Sequence, residues 1–214
     1  DVTEADLQAL MDGQLAESRV LDYKRDRIGN SQSDRQEFLA DVTSFANAAG
    51  GHLILGVEEA KGIPTSIPGI ECDDPDSESL RLEQIIRTGT RPTIQGIQIG
   101  PVKLASGRIV FVVRIPRSWS GPHQVGQTGS FRFLGRGSNG KYQLDVDELR
   151  QQFNQGPEIA ERLRQFRINR ILAIESGAIP VELEGPSLVV MHFVPIDNFA
   201  SGSSVDARPI ASSR

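Results

Sequence analysis

Apolar residues along this chain change their period several times, and each change marks an element. TEADLQALMD (3–12) reads as a short helix, with Thr3 to cap it, acids in its first turn and Gly13 to end it. Ser18 to Lys24 reads as a strand, and RDRIGNSQ (25–32) as a polar loop. In SDRQEFLADVTSFANAAGG, Phe38, Leu39, Val42, Phe45 and Ala46 recur at helical spacing; Ser33 and Gln36 suit a capping box, and Gly50 or Gly51 stops the helix. HLILGVE (52–58) is short, continuous and apolar, as a buried strand is. Pro64, Pro68, Gly62 and Gly69 predict a loop over 60–76, and Ser77 to Thr88 an amphipathic helix capped by Ser77. Strands follow at 93–99, 108–115 and 130–135, then a helix over Val146–Phe153 and a second opened by Pro157 and running to about Glu175. SLVVMHFVPI (187–196) reads as one more strand, and the Ser-, Gly- and Ala-rich remainder as flexible.

The order strand, helix, strand, helix, then several strands predicts an α+β domain with a mixed β-sheet flanked by helices, over 1–155. One helix joins SRVLDYK to HLILGVE, a connection that commonly makes neighbouring parallel strands. Residues 156–214 hold a long helix and the start of a C-terminal extension or second domain; that helix bridges to the next domain or pairs with a second copy of the chain.

Composition narrows the setting. The chain has 214 residues and one cysteine, Cys72, so no internal disulfide forms and a reducing, cytoplasmic compartment is expected. No apolar run approaches a membrane span. Asp1 at the start and a polar SSR at the end suggest an excised part of a longer protein. The net charge of −5 argues against a general polyanion binder, but its distribution does not: ten basic residues against Glu83 alone lie between Arg81 and Leu144, and seven acids against Lys61 lie in 53–80. A basic middle beside an acidic segment suits a polyanion channel next to a carboxylate site; dispersal over a solvated sheet face is the plainer alternative.

Three groups of residues carry candidate chemistry. If the first two strands are adjacent, Asp22 and one of Glu58 and Glu59 converge, with Glu17 nearby. Two or three such oxygens can hold a hard divalent cation, which activates water and neutralises charge at a scissile phosphate. Spacing alone favours the simpler reading, solvated strand ends with Lys24 pairing Asp22. AAGGHLILG lacks the Gly-Lys-Ser/Thr of a phosphate-binding loop, so its glycines are read as ending a helix and allowing close packing, with Asn47 bracing the turn. Arg132, Arg136 and Lys141, in and around GRGSNGK, suit phosphate contacts, with Arg114 and Arg117 on the same face. Trp119 can stack on a base but more often anchors packing; His123 stands apart from other catalytic groups, and thiol chemistry at Cys72 is not expected.

ESRVLDYKR, FANAAGGHLILGVEE and FRFLGRGSNGKYQLDVDEL together resemble the Schlafen-type, Alba-like domain family, in order, from about Leu15 to Phe153. The resemblance implies a nucleic-acid-binding domain and, from the catalytic members, a metal-dependent endonuclease acting on structured, tRNA-like RNA in antiviral defence or stress. It implies Glu17, Asp22 and Glu59 as catalytic metal ligands for Mg2+ or Mn2+, with Lys24 orienting Asp22 or stabilising the transition state. This chain has Asp22 where the family usually has Glu, and Glu59 where it usually has Asp. The family also includes members described as DNA-binding or ATP-binding regulators, so a non-catalytic DNA- or RNA-binding regulatory module of a larger protein is the alternative.

Overall fold

In a computed structural model, residues 2–127, 130–178, 189 and 191–195 are described, and the chain divides into two compact units, Asp1–Phe153 and Asn154–Arg214. The first unit is α+β, as the sequence predicts. It opens with α1 (Glu4–Asp12), where Thr3 and Asp6 form a capping box. Strand β1 (Leu21–Lys24) is followed by α2 (Gln32–Ala46) and β2 (Gly50–Leu55), and β1 and β2 are parallel neighbours, the expected crossover. After β2 come the hairpin β3 (Glu58–Ala60) and β4 (Ile63–Ser66), α3 (Pro75–Gly89), β5 (Thr90–Arg91), β6 (Gln98–Lys103), β7 (Ile109–Pro116), β8 (Gln124–Gln127), β9 (Ser130–Gly137), β10 (Gly140–Gln143) and α4 (Val146–Glu175).

Two four-stranded sheets result, β1-β2-β7-β6 and β10-β9-β8-β5. Helix α2 packs between them. Its Phe38, Leu39, Val42 and Phe45 meet Leu53, Leu55, Phe111 and Val113 of the first sheet and Val125 and Leu134 of the second in one core. Residues alternate along a strand, so Val110 and Val112 face the other way. With Tyr23, Ile54 and Val102 they form a second core beneath Leu7 of α1.

Several boundaries differ from the sequence reading for local reasons. Ser31, not Ser33, caps α2, because Ser31 and Asp34 repeat the capping-box spacing two residues earlier. Asp74 caps α3 ahead of Pro75, which suits the first helical turn. The expected 60–76 loop contains the β3–β4 hairpin, whose Lys61 and Gly62 both have positive φ, the geometry of a tight two-residue hairpin turn. The strand expected at 93–99 begins at Gln98. The helices expected at 146–153 and from 157 are one, α4, which continues through Pro157. The strand expected at 187–196 and the flexible tail lie largely outside the described residues; the described ones, 189 and 191–195, are not in a strand.

The end of α2 is tied to the second sheet by Asn47, its C-cap. The Asn47 amide donates to the carbonyls of His123 (2.8 Å) and Leu134 (2.9 Å) and accepts from the His123 N–H at 2.7 Å. Gly50 follows with φ +74, and a Cβ there would lie 2.5 Å from the Arg117 nitrogen, so only glycine lets the chain turn into β2 beside β7. Replacing Asn47 by Ala strands three backbone groups; by thermal or urea unfolding it should destabilise the domain by about 1–3 kcal/mol, whereas Asn154→Ala should change little.

Candidate functional site

Asp22 and Lys24 point from β1 toward α2, on the side of its register partner Leu53. Asp22 is buried, and both its oxygens are taken: Oδ1 by Lys24 Nζ at 2.8 Å and Oδ2 by Arg136 at 2.5 Å. Arg136 reaches it from β9 and is itself buried, its guanidinium 4.1 Å above the Phe45 ring. A second buried acid, Asp41 of α2, accepts from Lys141 at 2.9 Å and lies 3.8 Å from Arg136 and 3.9 Å from Lys24. Its Oδ2 has no hydrogen-bond partner. Lys141, opposite Arg136 in the β9–β10 register, also pairs with Glu37. Three cations thus close around two buried carboxylates, joining β1, α2, β9 and β10.

Burial opposes ionisation of Asp22, but hydrogen bonds to Lys24, Glu17 and Arg136 outweigh it and hold its carboxyl below the ordinary range. Glu17 moves the other way: burial raises it, and its hydrogen bond with Asp22 adds to the rise against the opposing Tyr23 N–H. Burial also raises Asp41, beyond what Lys141 and Lys24 offset.

The structure brings the three predicted acids to one neighbourhood without making them equivalent. Glu17 accepts from the Tyr23 N–H at 3.0 Å, and its own N–H donates to the Gly62 carbonyl at 2.7 Å. Glu59 lies on β3, beyond the end of β2, where its exposed carboxylate accepts from the Gly62 N–H. Both acids thus hold one turn of the β3–β4 hairpin. Among the described residues no group of three or more His, Cys, Asp or Glu side chains could hold a metal ion. The donor chemistry agrees with that: each Asp22 oxygen already bonds a cation, burial and the neighbouring Asp22 oppose ionisation of Glu17, and Glu59 turns one carboxylate oxygen to the Gly62 N–H. Glu17, Asp22 and Glu59 as they stand do not fit Mg2+ or Mn2+, which need free anionic oxygens. Lys24 pairs with Asp22, as the simpler reading of the strand has it.

The five basic residues expected on one phosphate-binding face are dispersed. Arg136 is buried and Lys141 is bound to Asp41 and Glu37, so both belong to the ion network rather than to a surface, because strand alternation turns them toward α2. Arg114 follows Val112 on the α1 side of the first sheet. Arg117 stacks on Trp119 at 3.9 Å. Arg132 is exposed in the β8–β9 hairpin, next to Phe131, which is 71% exposed. His123 is fully buried between the Pro92 carbonyl and the Ser118 hydroxyl, a packing role. Asp41 was the residue missed by the sequence reading. Its signal was position: it lies three residues after Phe38 and four before Phe45, inside the apolar stripe of α2, where an acid requires buried partners.

Removing one partner of this buried network should be costly. Arg136→Met should destabilise the domain by about 3–5 kcal/mol, since it leaves Asp22 and Asp41 short of charge. The sign with pH follows from Asp22, whose folded-state pKa is depressed: its contribution is present above the unfolded carboxylate pKa and is lost as pH falls through the folded one. Denaturant unfolding of wild type and Asp22→Asn should therefore differ most near neutral pH and converge below about pH 4.

The Schlafen, AlbA_2 family matches residues 17–145. No curated protein matches the chain. Among solved structures, the chain is similar to the DIP2311 protein from Corynebacterium diphtheriae, at 19% identity and a TM-score of 0.46 over 70% of this chain, and it spans 27% of that protein's length. It is also similar to the N-terminal domain of a protein from Nitrosomonas europaea named as related to the ATP-dependent DNA helicase RecG, at 22% identity and a TM-score of 0.45, covering 64% of this chain and 92% of that one. No helix among the described residues is long and apolar enough to cross a membrane. The family match spans more than half of the chain and contains the whole Asp22–Arg136–Asp41 network, and the chain belongs to the Schlafen, AlbA_2 family.

Proposed function

We propose that this domain binds nucleic acid at single-stranded or looped segments, through the β8–β9 hairpin, and that its acids serve the fold rather than hydrolysis. The observation that carries this reading is the pair Phe131 and Arg132. Phe131, 71% exposed, is more open to solvent than the other exposed rings of the unit, Phe153 and Tyr142, and Arg132 has no carboxylate partner among the described residues. An exposed ring offers stacking to an unpaired base, and a neighbouring guanidinium offers a phosphate contact. Family membership supports the same reading, and unpaired RNA loops fit it at least as well as DNA.

A second reading, metal-dependent cleavage of structured RNA, is favoured by one observation, the meeting of Glu17 and Glu59 at the Gly62 turn beside Asp22. It requires Asp22 to leave Lys24 or Arg136 before it can ligate an ion. One experiment separates the two. Fluorescence anisotropy with single-stranded RNA, tRNA and duplex DNA should show affinity that falls steeply with salt. Phe131→Ala should weaken single-stranded binding by about tenfold or more, and Arg132→Gln should flatten the salt slope. The RNA should stay intact in Mn2+ as in EDTA; cleavage in Mn2+ that Asp22→Asn abolishes would establish the second reading.

A further inference from the structure

The face of the first sheet turned away from α2 is only partly covered by α1. Leu7 seals its middle, and Glu4 fixes the helix by accepting from the Ala105 N–H at 2.9 Å. Beside the start of α1 the sheet remains open. His52, Arg114 and Gln98 are direct register partners across β2, β7 and β6, so their side chains form one polar row on this face. The next row on the same face is Ile54, Val112 and Gly100. A Cβ at Gly100 would meet nothing within 4 Å, so the missing side chain leaves that end open. The result is a cavity of about 800 Å3 over β6 and β7, walled by Val2 and Asp6. It shares Val2, Asp6, His52 and Val112 with a recess of about 300 Å3 that runs under α1 toward β1 and ends among Leu10, Val20 and Leu21.

We infer that this groove binds a small organic carboxylate with an apolar body, its head on Arg114 and Gln98 and its body in the recess under α1. The charge argument fixes the head. Arg114 makes no ion pair among the described residues, and a guanidinium beside an amide matches the two oxygens of a carboxylate. Asp6 does not neutralise Arg114, because its carboxylate is turned into the cap, accepting from the Thr3 N–H at 2.8 Å and the Thr3 hydroxyl at 2.7 Å. The lining fixes the body: away from the polar row the recess is bounded by aliphatic side chains, whose burial by a ligand is favourable. The site is independent of the hairpin surface, since Arg114 faces away from the helix that separates the two sheets.

Isothermal titration calorimetry of the 214-residue chain with octanoate, octanol and acetate tests this. Octanoate should bind at one saturable site, about tenfold or more tighter than octanol, which lacks the charge, and than acetate, which lacks the body. Arg114→Gln should bring octanoate down to the level of octanol. Gly100→Leu, whose Cβ meets nothing within 4 Å, should narrow the groove and weaken octanoate with little change in Tm. Octanoate binding no tighter than octanol, wild-type affinity in Arg114→Gln, or no saturable binding would each overturn the assignment.

Discussion

The buried ion pair between Asp22 and Arg136 is the contact on which the arrangement of the first unit depends. It spans 114 positions of sequence and fastens the first strand of one sheet to β9 of the other, across the end of α2. Removing either charge from water is expensive, and one opposite charge seldom repays it. The structure answers with a network. Lys24 takes the other Asp22 oxygen, Lys141 takes Asp41, and Phe45 lends its ring face to Arg136. The surrounding core is apolar, so these charges fix how α2 sits between the sheets rather than adding to hydrophobic burial.

That commitment decides what the acids can do. A carboxylate held by two cations has little left for a metal, and burial makes the neighbouring Glu17 harder to ionise. The exchange of lengths at Asp22 and Glu59 fits the same picture: the shorter side chain at 22 lies flush with Lys24 and Arg136, and the longer one at 59 reaches the Gly62 N–H in its own hairpin turn. On the proposed reading, recognition falls to side chains outside the network. Phe131 and Arg132 stand at the β8–β9 hairpin, and Arg114 occupies the far face of the first sheet.

Much of the scaffold was legible in the sequence because it rests on local periodicity. The β1–α2–β2 crossover follows from one apolar helix between two short strands, and RIVFVVRI became β7, the central strand against which β2 and β6 pair. Caps shifted by two or three residues where an equivalent Ser or Asp stood just upstream, as at Ser31 and Asp74. The charged residues were harder to read. Periodicity places Arg132, Arg136 and Lys141 on strands but does not say which end of the strand passes over α2, and that alone separates exposed Arg132 from buried Arg136. The resemblance in ESRVLDYKR and FANAAGGHLILGVEE pointed to Glu17, Asp22 and Glu59; the cations that hold Asp22 and the unforeseen Asp41 came from β9 and β10, a hundred residues or more away, where no local signal reaches.

The central claim is that Asp22 is a structural anion saturated by Lys24 and Arg136. Carboxyl carbon NMR of the Asp and Glu side chains, titrated with pH and then with Mg2+, addresses it most directly. The account predicts that Asp22 titrates below the ordinary carboxylate range, that Glu17 and Asp41 titrate above it, and that Mg2+ moves none of the three. A joint shift of Glu17, Asp22 and Glu59 on adding Mg2+ would contradict it.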